Sequence, residues 1–113
     1  MAMISNLTID QGASFKAEID VKDADGDALD LTGFTGAGQM RKTYSSSTKT
    51  DFTVEFKIPR SSGTLTISLS ASDTNALKAG RYVYDVEITK TSDAEVTRVV
   101  EGQIDVTPGV TRS

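Results

Sequence analysis

The chain has 113 residues and a formal net charge of −4, with 12 basic and 16 acidic side chains and neither histidine nor cysteine. This length predicts one domain, and the negative charge opposes binding to a polyphosphate, so we expect no nucleic-acid partner. Without cysteine there are no disulfides or thiolates, and without histidine the commonest general base and metal ligand is missing.

The first ten residues do not resemble a targeting segment. They have neither a basic region nor a continuous apolar run, so no signal peptide is predicted. No stretch of the sequence is long and apolar enough to predict a transmembrane helix. We therefore expect the chain to be made and kept in the cytosol unless something else carries it out, and we expect no membrane partner.

Alternating apolar and polar residues predict a first strand over residues 4–9 and a second over 14–21. In the second, Phe15, Ala17 and Ile19 alternate with charged residues. Because successive side chains of a strand point to opposite faces, this pattern gives one apolar and one polar face. Such a sheet needs a second layer to cover its apolar face.

Residues 23–27 read Asp-Ala-Asp-Gly-Asp and predict a tight hairpin turn, with glycine at a position that favours positive φ. A calcium loop that uses Asp23, Asp25 and Asp27 is the functional alternative. The twelfth position of such a loop is Phe34, where an EF-hand needs a bidentate glutamate. The turn is therefore the favoured interpretation, and no cofactor or metal is expected.

A glycine-rich strand is predicted over residues 34–43. Gly36 and Gly38 do not form a phosphate-binding fingerprint, because the third glycine and a following helix are missing. We expect them to allow close backbone approach where two sheets pack. Residues 44–50 form a polar loop rich in serine and threonine, which predicts an exposed tip.

The second half of the chain predicts four more elements. Alternating residues predict one strand that buries every second residue from Phe52 to Ile58 and another that does so from Leu65 to Leu69. A hairpin turn at 61–63 joins them. Ser72 is predicted to cap a short helical turn that ends at Gly80. A strand then starts at Arg81, with Tyr82 and Tyr84 inward, and we expect their hydroxyls to bond backbone near residues 77–80.

The last predicted strand covers residues 95–107. Its inward register contains Val96, Val100, Ile104 and Val106. Arg98 falls in the same register as an exception, and an edge position would let its stem pack while its guanidinium reaches water. In all, seven or eight antiparallel strands and one short helical turn are expected, with a turn signal about every eight to twelve residues. This pattern predicts an all-β fold, an immunoglobulin-like two-layer β-sandwich.

Several segments together resemble small immunoglobulin-like virion proteins of tailed bacteriophages, particularly marine and cyanobacterial ones. They are Leu-Thr-Gly at 31–33, Gln-Met-Arg-Lys at 39–42, Tyr-Ser-Ser-Ser at 44–47, Ala-Gly-Arg-Tyr-Val-Tyr-Asp-Val at 79–86 and Val-Val-Glu-Gly-Gln-Ile-Asp-Val-Thr-Pro at 99–108. The resemblance covers residues 7–112. It implies a structural or decoration module of the capsid surface, neck, tail or baseplate, and it carries over no catalytic residue.

The residues themselves favour attachment over catalysis. Without histidine no Ser-His-Asp triad can form, and the acidic residues of the strands alternate outward, so we expect no enzyme. The partners would be other virion proteins or further copies of this chain. An open sheet edge and the terminal segments 1–5 and 108–113 are the routes considered, although frayed termini are the ordinary expectation.

Particular residues are predicted to contact a partner. They are Met1, Met3, Ile4, Tyr44, Ser45, Ser46, Ser47 and Lys49. The competing hypothesis is a host-surface adhesin that binds glycan through residues 45–50 or the 23–27 turn. Tyr44 is the one aromatic residue that we expect to be exposed for such a contact.

Overall fold

The computed structural model describes residues 3–110 and shows two packed β-sheets. The described residues form nine strands, one α-helix and one 3-10 helix. Their bounds are β1 Met3–Ile4, β2 Leu7–Asp10, β3 Phe15–Asp20, β4 Phe34–Arg41, β5 Thr50–Asp51, β6 Thr53–Phe56, the 3-10 helix Arg60–Ser62, β7 Thr64–Leu69, α1 Ala71–Asn75, β8 Gly80–Lys90 and β9 Val96–Thr107. The predicted all-β sandwich is confirmed. None of the described helices is long and apolar enough to cross a membrane.

The large sheet has the strand order β1-β9-β8-β4-β5, with β2 also paired to β9, and the small sheet has the order β3-β7-β6. The chain changes sheets between β5 and β6 at the buried Phe52. Most pairs are antiparallel, but β1 and β2 run parallel to β9. The prediction of antiparallel strands throughout was wrong here, because alternation of residues defines a strand's faces and not the direction of its neighbour.

The core lies between the two sheets and takes side chains from both. Leu65 and Ile67 of the small sheet are fully buried, as are Val86 and Val100 of the large sheet. Gly36 and Gly38 allow the close approach that the sequence predicted. A Cβ on Gly36 would lie 2.6 Å from Cγ1 of Val54, so only glycine lets β6 fold against β4 at this point.

The predicted first strand is broken at residues 5–6. A Cβ at Gly102 of β9 would overlap the carbonyl oxygen of Ser5, and the Asn6 Oδ1 accepts a hydrogen bond from the Gln103 N–H at 3.0 Å. The side chain of Asn6 therefore replaces one backbone acceptor of the ladder. This separates β1 from β2 while both remain beside β9.

A β-bulge in β9 corrects the predicted inward register of its first half. Val86 pairs with Val100, whereas the next residue of β8, Glu87, pairs with Arg98, so Val99 is the extra residue. One extra residue moves every preceding side chain to the other face. Arg98 therefore lies on the polar outer face, and Val96 is 54% exposed rather than inward.

The short helix begins two residues earlier than predicted. Ser70, not Ser72, is its N-cap, and the Ser70 hydroxyl accepts from the Asp73 N–H while the Asp73 side chain accepts from the Ser70 N–H. This reciprocal pair is a capping box. The hydroxyl of the buried Thr74 donates to the Ala13 carbonyl at 2.9 Å and so ties the helix to the β2–β3 turn. The predicted hairpin between β6 and β7 is present, because the two strands pair antiparallel, and the 3-10 helix forms its turn together with Gly63.

Candidate functional site

The polar loop of residues 42–49 is exposed and is anchored by one arginine. Tyr44 is 84% exposed, as the sequence predicted. The Arg41 guanidinium donates through Nη1 to the Ser46 carbonyl at 2.6 Å and through Nη2 to the Gln39 Oε1 at 3.0 Å. Because Arg41 belongs to β4, these bonds hold the base of the loop against the large sheet. Ser45 and Ser47 are exposed beside Tyr44.

A groove of about 360 Å³ runs from this loop across the outer face of the large sheet. We call it the Tyr44 groove. It is lined by Gln39, Arg41, Tyr44, Val83, Tyr84, Asp85, Glu87, Arg98 and Glu101. The sheet alternation explains this composition, because the outward side chains of β4, β8 and β9 are polar while their inward neighbours are buried in the core.

Arg98 lies between two carboxylates of the Tyr44 groove. Its Nε is 3.2 Å from Asp85 Oδ2, and its Nη1 is 3.3 Å from Glu101 Oε2. The hydrogen bond to Glu101 and the charge of Asp85 raise the pKa of the Arg98 guanidinium above its ordinary value. Each carboxylate thus has a fixed cation next to it. The three side chains therefore form an ion-pair network on the outer face of the large sheet.

Lys49 binds an acidic neighbour. Its Nζ lies 2.7 Å from Asp51 Oδ2, and this hydrogen bond is the largest cause of the lowered pKa of Asp51. Both side chains are substantially exposed, so the pair is screened by solvent. The charge of Lys49 is therefore already neutralised in part. The same loop carries the other predicted contact residues Tyr44, Ser45, Ser46 and Ser47.

The N-terminal residues form a strand at the edge of the large sheet. Met3 pairs with Val100 and Ile4 with Glu101, so residues 3–5 are not the free arm that was predicted; the predicted contact residue Met1 lies outside the described residues. The buried Tyr84 donates its hydroxyl to the Ser5 carbonyl. Met3 and Ile4 nevertheless remain 50% and 75% exposed, because β1 is the outermost strand of the sheet.

The tyrosine hydroxyls of β8 have different partners. Tyr82 donates to the Lys78 carbonyl at 2.8 Å, which confirms the predicted bond near residues 77–80. Tyr84 bonds Ser5 instead of that corner. The two side chains point the same way along β8 but lie one full pleat apart, so only Tyr82 reaches the corner.

The C-terminal segment is held as far as Gly109. The Gly109 N–H donates to the Gln11 Oε1 at 3.1 Å, and the Gln11 Nε2 donates to the Leu77 carbonyl at 2.7 Å. Val110 follows and is 97% exposed. Of the predicted arm 108–113, residues 111–113 lie outside the described part of the chain.

The acidic turn is a hairpin turn, as predicted. Oδ1 of Asp23 accepts from the N–H groups of Asp25 and Asp27 at 2.9 and 3.0 Å, and Gly26 has φ +86°. Asp23 therefore stabilises its own backbone. Within residues 3–110 no group of three or more acidic side chains is placed to hold a metal ion, so Asp23, Asp25 and Asp27 do not converge as calcium ligands.

Sequence reasoning missed the two arginines that organise the Tyr44 groove. Arg41 was part of a family-like segment without a role of its own. Arg98 was expected to reach water from an inward register at a sheet edge, whereas the bulge places it on the outer face beside Asp85. A signal for Arg98 was present, because a charged residue in an otherwise apolar register is typical of a bulge. No comparable signal marked Arg41.

Comparison with known proteins supports the architecture alone. The chain matches no family model and no curated protein. Among solved structures it is similar to the Lin-41 filamin domain, with a TM-score of 0.50 over 90% of this chain and 84% of that chain, at 17% sequence identity. The fold is immunoglobulin-like. At this identity the similarity does not extend to function.

Proposed function

We propose that this chain is a structural or decoration module of a tailed-bacteriophage virion and that it acts by attachment to other virion proteins. The resemblance of five segments to small phage virion proteins supports this proposal, and so does the immunoglobulin-like fold. After synthesis in the host cytoplasm the chain would reside in the virion. Its position there, on the capsid surface, neck, tail or baseplate, is left to experiment.

The observation that carries the proposal is the exposed apolar edge formed by β1 and the start of β9, which we call the N-terminal edge. Met3, Ile4 and Val96 are 50%, 75% and 54% exposed there. Within the described residues, positions 96–98 of β9 have a strand neighbour on the β8 side alone. Unpaired backbone beside exposed apolar side chains suits an added strand from another protein.

The test is the double variant Met3→Ser/Ile4→Ser. Both side chains are at least half exposed, so we expect the free energy of unfolding to change by less than about 0.5 kcal/mol. We expect incorporation into particles to fall at least tenfold, as measured by mass spectrometry of purified virions. Undiminished incorporation would exclude the N-terminal edge, and absence of the unmodified chain from particles would overturn the virion role itself.

A second candidate function is host-surface adhesion through glycan binding. The observation that favours it is the 84% exposed ring of Tyr44 beside the Tyr44 groove. An aromatic ring next to arginine and carboxylate side chains provides an apolar face together with hydrogen-bond donors and acceptors, which polar ligands require.

The variant Tyr44→Ala distinguishes the two functions. An adhesin would lose binding to host cells or glycan arrays while its incorporation into particles stayed normal. The attachment module would show the reverse pattern across the two variants, with Met3→Ser/Ile4→Ser deficient in incorporation and Tyr44→Ala unaffected. Each variant thus serves as the control for the other.

A further inference from the structure

The two ends of the sandwich carry opposite charge. The strand directions place the connecting loops at two opposite ends of the sandwich. One end contains the loops 21–33, 57–63 and 91–95. The other end contains the loops 11–14, 42–49, 70–79 and 108–110. We call these the acidic pole and the basic pole. The molecule measures 43 × 30 × 22 Å, and the length of β9 shows that the long axis follows the strands.

The acidic pole has a formal charge of −3. Its ionisable residues are the acidic Asp23, Asp25, Asp27, Asp30, Asp93 and Glu95 and the basic Lys22, Lys57 and Arg60. The loops of the basic pole have a formal charge of +2, from Lys42, Lys49 and Lys78 against Asp73, and Lys49 among them is paired with Asp51 of the adjoining β5. All of these side chains are exposed. The chain therefore has a charge dipole along its long axis despite its net charge of −4.

Within the described residues each pole also presents a large apolar side chain to solvent, in addition to the exposed Tyr44 ring at the basic pole. Ile58 is 88% exposed at the acidic pole, and Val110 is 97% exposed at the basic pole. An apolar contact surrounded by complementary charges is the usual composition of a protein interface. This is a second observation, independent of charge, that points to a protein partner at the poles.

We propose that copies of this chain associate end to end, with the acidic pole of one copy on the basic pole of the next. The favoured partner is a second copy because the chain itself supplies both complementary surfaces. Pole-to-like-pole and parallel side-by-side arrangements bring charges of the same sign together. An antiparallel side-by-side pair joins opposite poles, but it also places acidic sheet faces against each other, because Glu55 lies on the outer face of the small sheet and Asp85 and Glu87 lie on that of the large sheet. The contact is heterologous, so it propagates into a filament or closes into a ring. The inference does not depend on the virion role.

The size of the poles limits the strength of this contact. The cross-section of 30 × 22 Å is smaller than the roughly 800 Å² per partner that a standard interface buries. Charge attraction between exposed groups is screened over about 10 Å at 0.1 M salt and about 3 Å at 1 M. We therefore expect weak association that rises with protein concentration and is lost in high salt.

The first test is sedimentation velocity and small-angle X-ray scattering of the complete chain over a concentration series. In salt below about 0.1 M we expect reversible association and a maximum dimension that approaches twice the 43 Å long axis of one copy. A chain that stays monomeric throughout the series would overturn the proposal. So would compact pairs of unchanged length, or association that does not weaken in about 1 M salt.

Charge reversal provides the decisive test. Asp25→Lys/Asp27→Lys makes the acidic pole basic and leaves the Asp23 side chain that organises the turn. Lys42→Glu/Lys78→Glu makes the basic pole acidic. We expect each double variant alone to associate at least tenfold more weakly. An equimolar mixture should recover association, because the unchanged basic pole of one variant complements the unchanged acidic pole of the other, and the two reversed poles complement each other.

A control variant has the same change in charge away from the poles. Glu55→Lys/Glu87→Lys alters the outer faces of the two sheets in the middle of their strands, away from both poles. We expect it to associate like the unmodified chain. Association lost equally in this control, or no recovery in the mixture, would mean that net charge rather than pole pairing governs association, and the proposal would fail.

Discussion

At the scale of single residues, Tyr84 connects the first strand to the core. Its side chain is 4% exposed, and its hydroxyl donates to the Ser5 carbonyl at 2.6 Å. Burial disfavours the phenolate and raises the pKa of Tyr84 above the ordinary value of 10.0. The folded chain therefore keeps this proton more tightly than the unfolded chain does.

This predicts a difference in stability that depends on pH. Below pH 10 we expect Tyr84→Phe to be less stable by about 0.5–1.5 kcal/mol, the usual net value of a hydrogen bond. As the pH rises above 10, the unfolded wild-type chain loses the proton that the folded chain retains, so the wild type loses stability while the variant does not. Urea unfolding at several pH values should show that the difference in free energy of unfolding between the wild type and Tyr84→Phe becomes smaller as the pH rises above 10. Tyr82→Phe, which removes the exposed bond to Lys78, is the control, and a pH-independent difference for Tyr84→Phe would contradict the assignment.

At the scale of elements, the five-residue helix depends on its cap. Such a short helix is unstable in isolation, and the Ser70–Asp73 capping box satisfies two of its free N–H groups. We expect Ser70→Ala to lower the free energy of unfolding by about 1 kcal/mol. Ser72→Ala lies inside the helix on an exposed position and should be neutral in the same denaturation experiment. Equal losses in both variants would mean that the cap does not matter.

The same scale shows what the sequence could and could not predict. The alternation of residues correctly identified the buried faces of β3, β6, β7 and β8, because burial depends on the strand's own period. The prediction that the buried face of β6 continues to Ile58 was wrong, because β6 ends at Phe56 and Ile58 beyond it is 88% exposed. It did not reveal the Ser5–Asn6 break, the bulge at Val99 or the parallel direction of β1, since these depend on a neighbouring strand. The exposure of Tyr44 followed from its polar loop, whereas the Arg98 ion pairs required the register that the bulge sets.

At the scale of the whole molecule, both sheets share one core and should unfold together. Ile67 of the small sheet is fully buried and belongs to the same apolar cluster as Val86 and Ile88 of the large sheet. We expect Ile67→Ala to destabilise the chain by about 2–5 kcal/mol. The variant should lower the free energy of opening, as measured by hydrogen exchange, by the same amount for the slowest β8 amides as for the β7 amides. The outward Thr66→Ala is the control, and an effect confined to the small sheet would show two independent units.

The parallel pairing of the first and last strands determines how the domain can be reconnected. Met3 lies beside Val100, and β9 continues from there to Thr107, a distance of about 23 Å at the usual strand rise. Circular permutation therefore needs a linker long enough to run back along the sheet. Tandem concatenation needs no such return. The chain leaves one domain in the direction in which it enters the next, so all domains of the array would point in one direction.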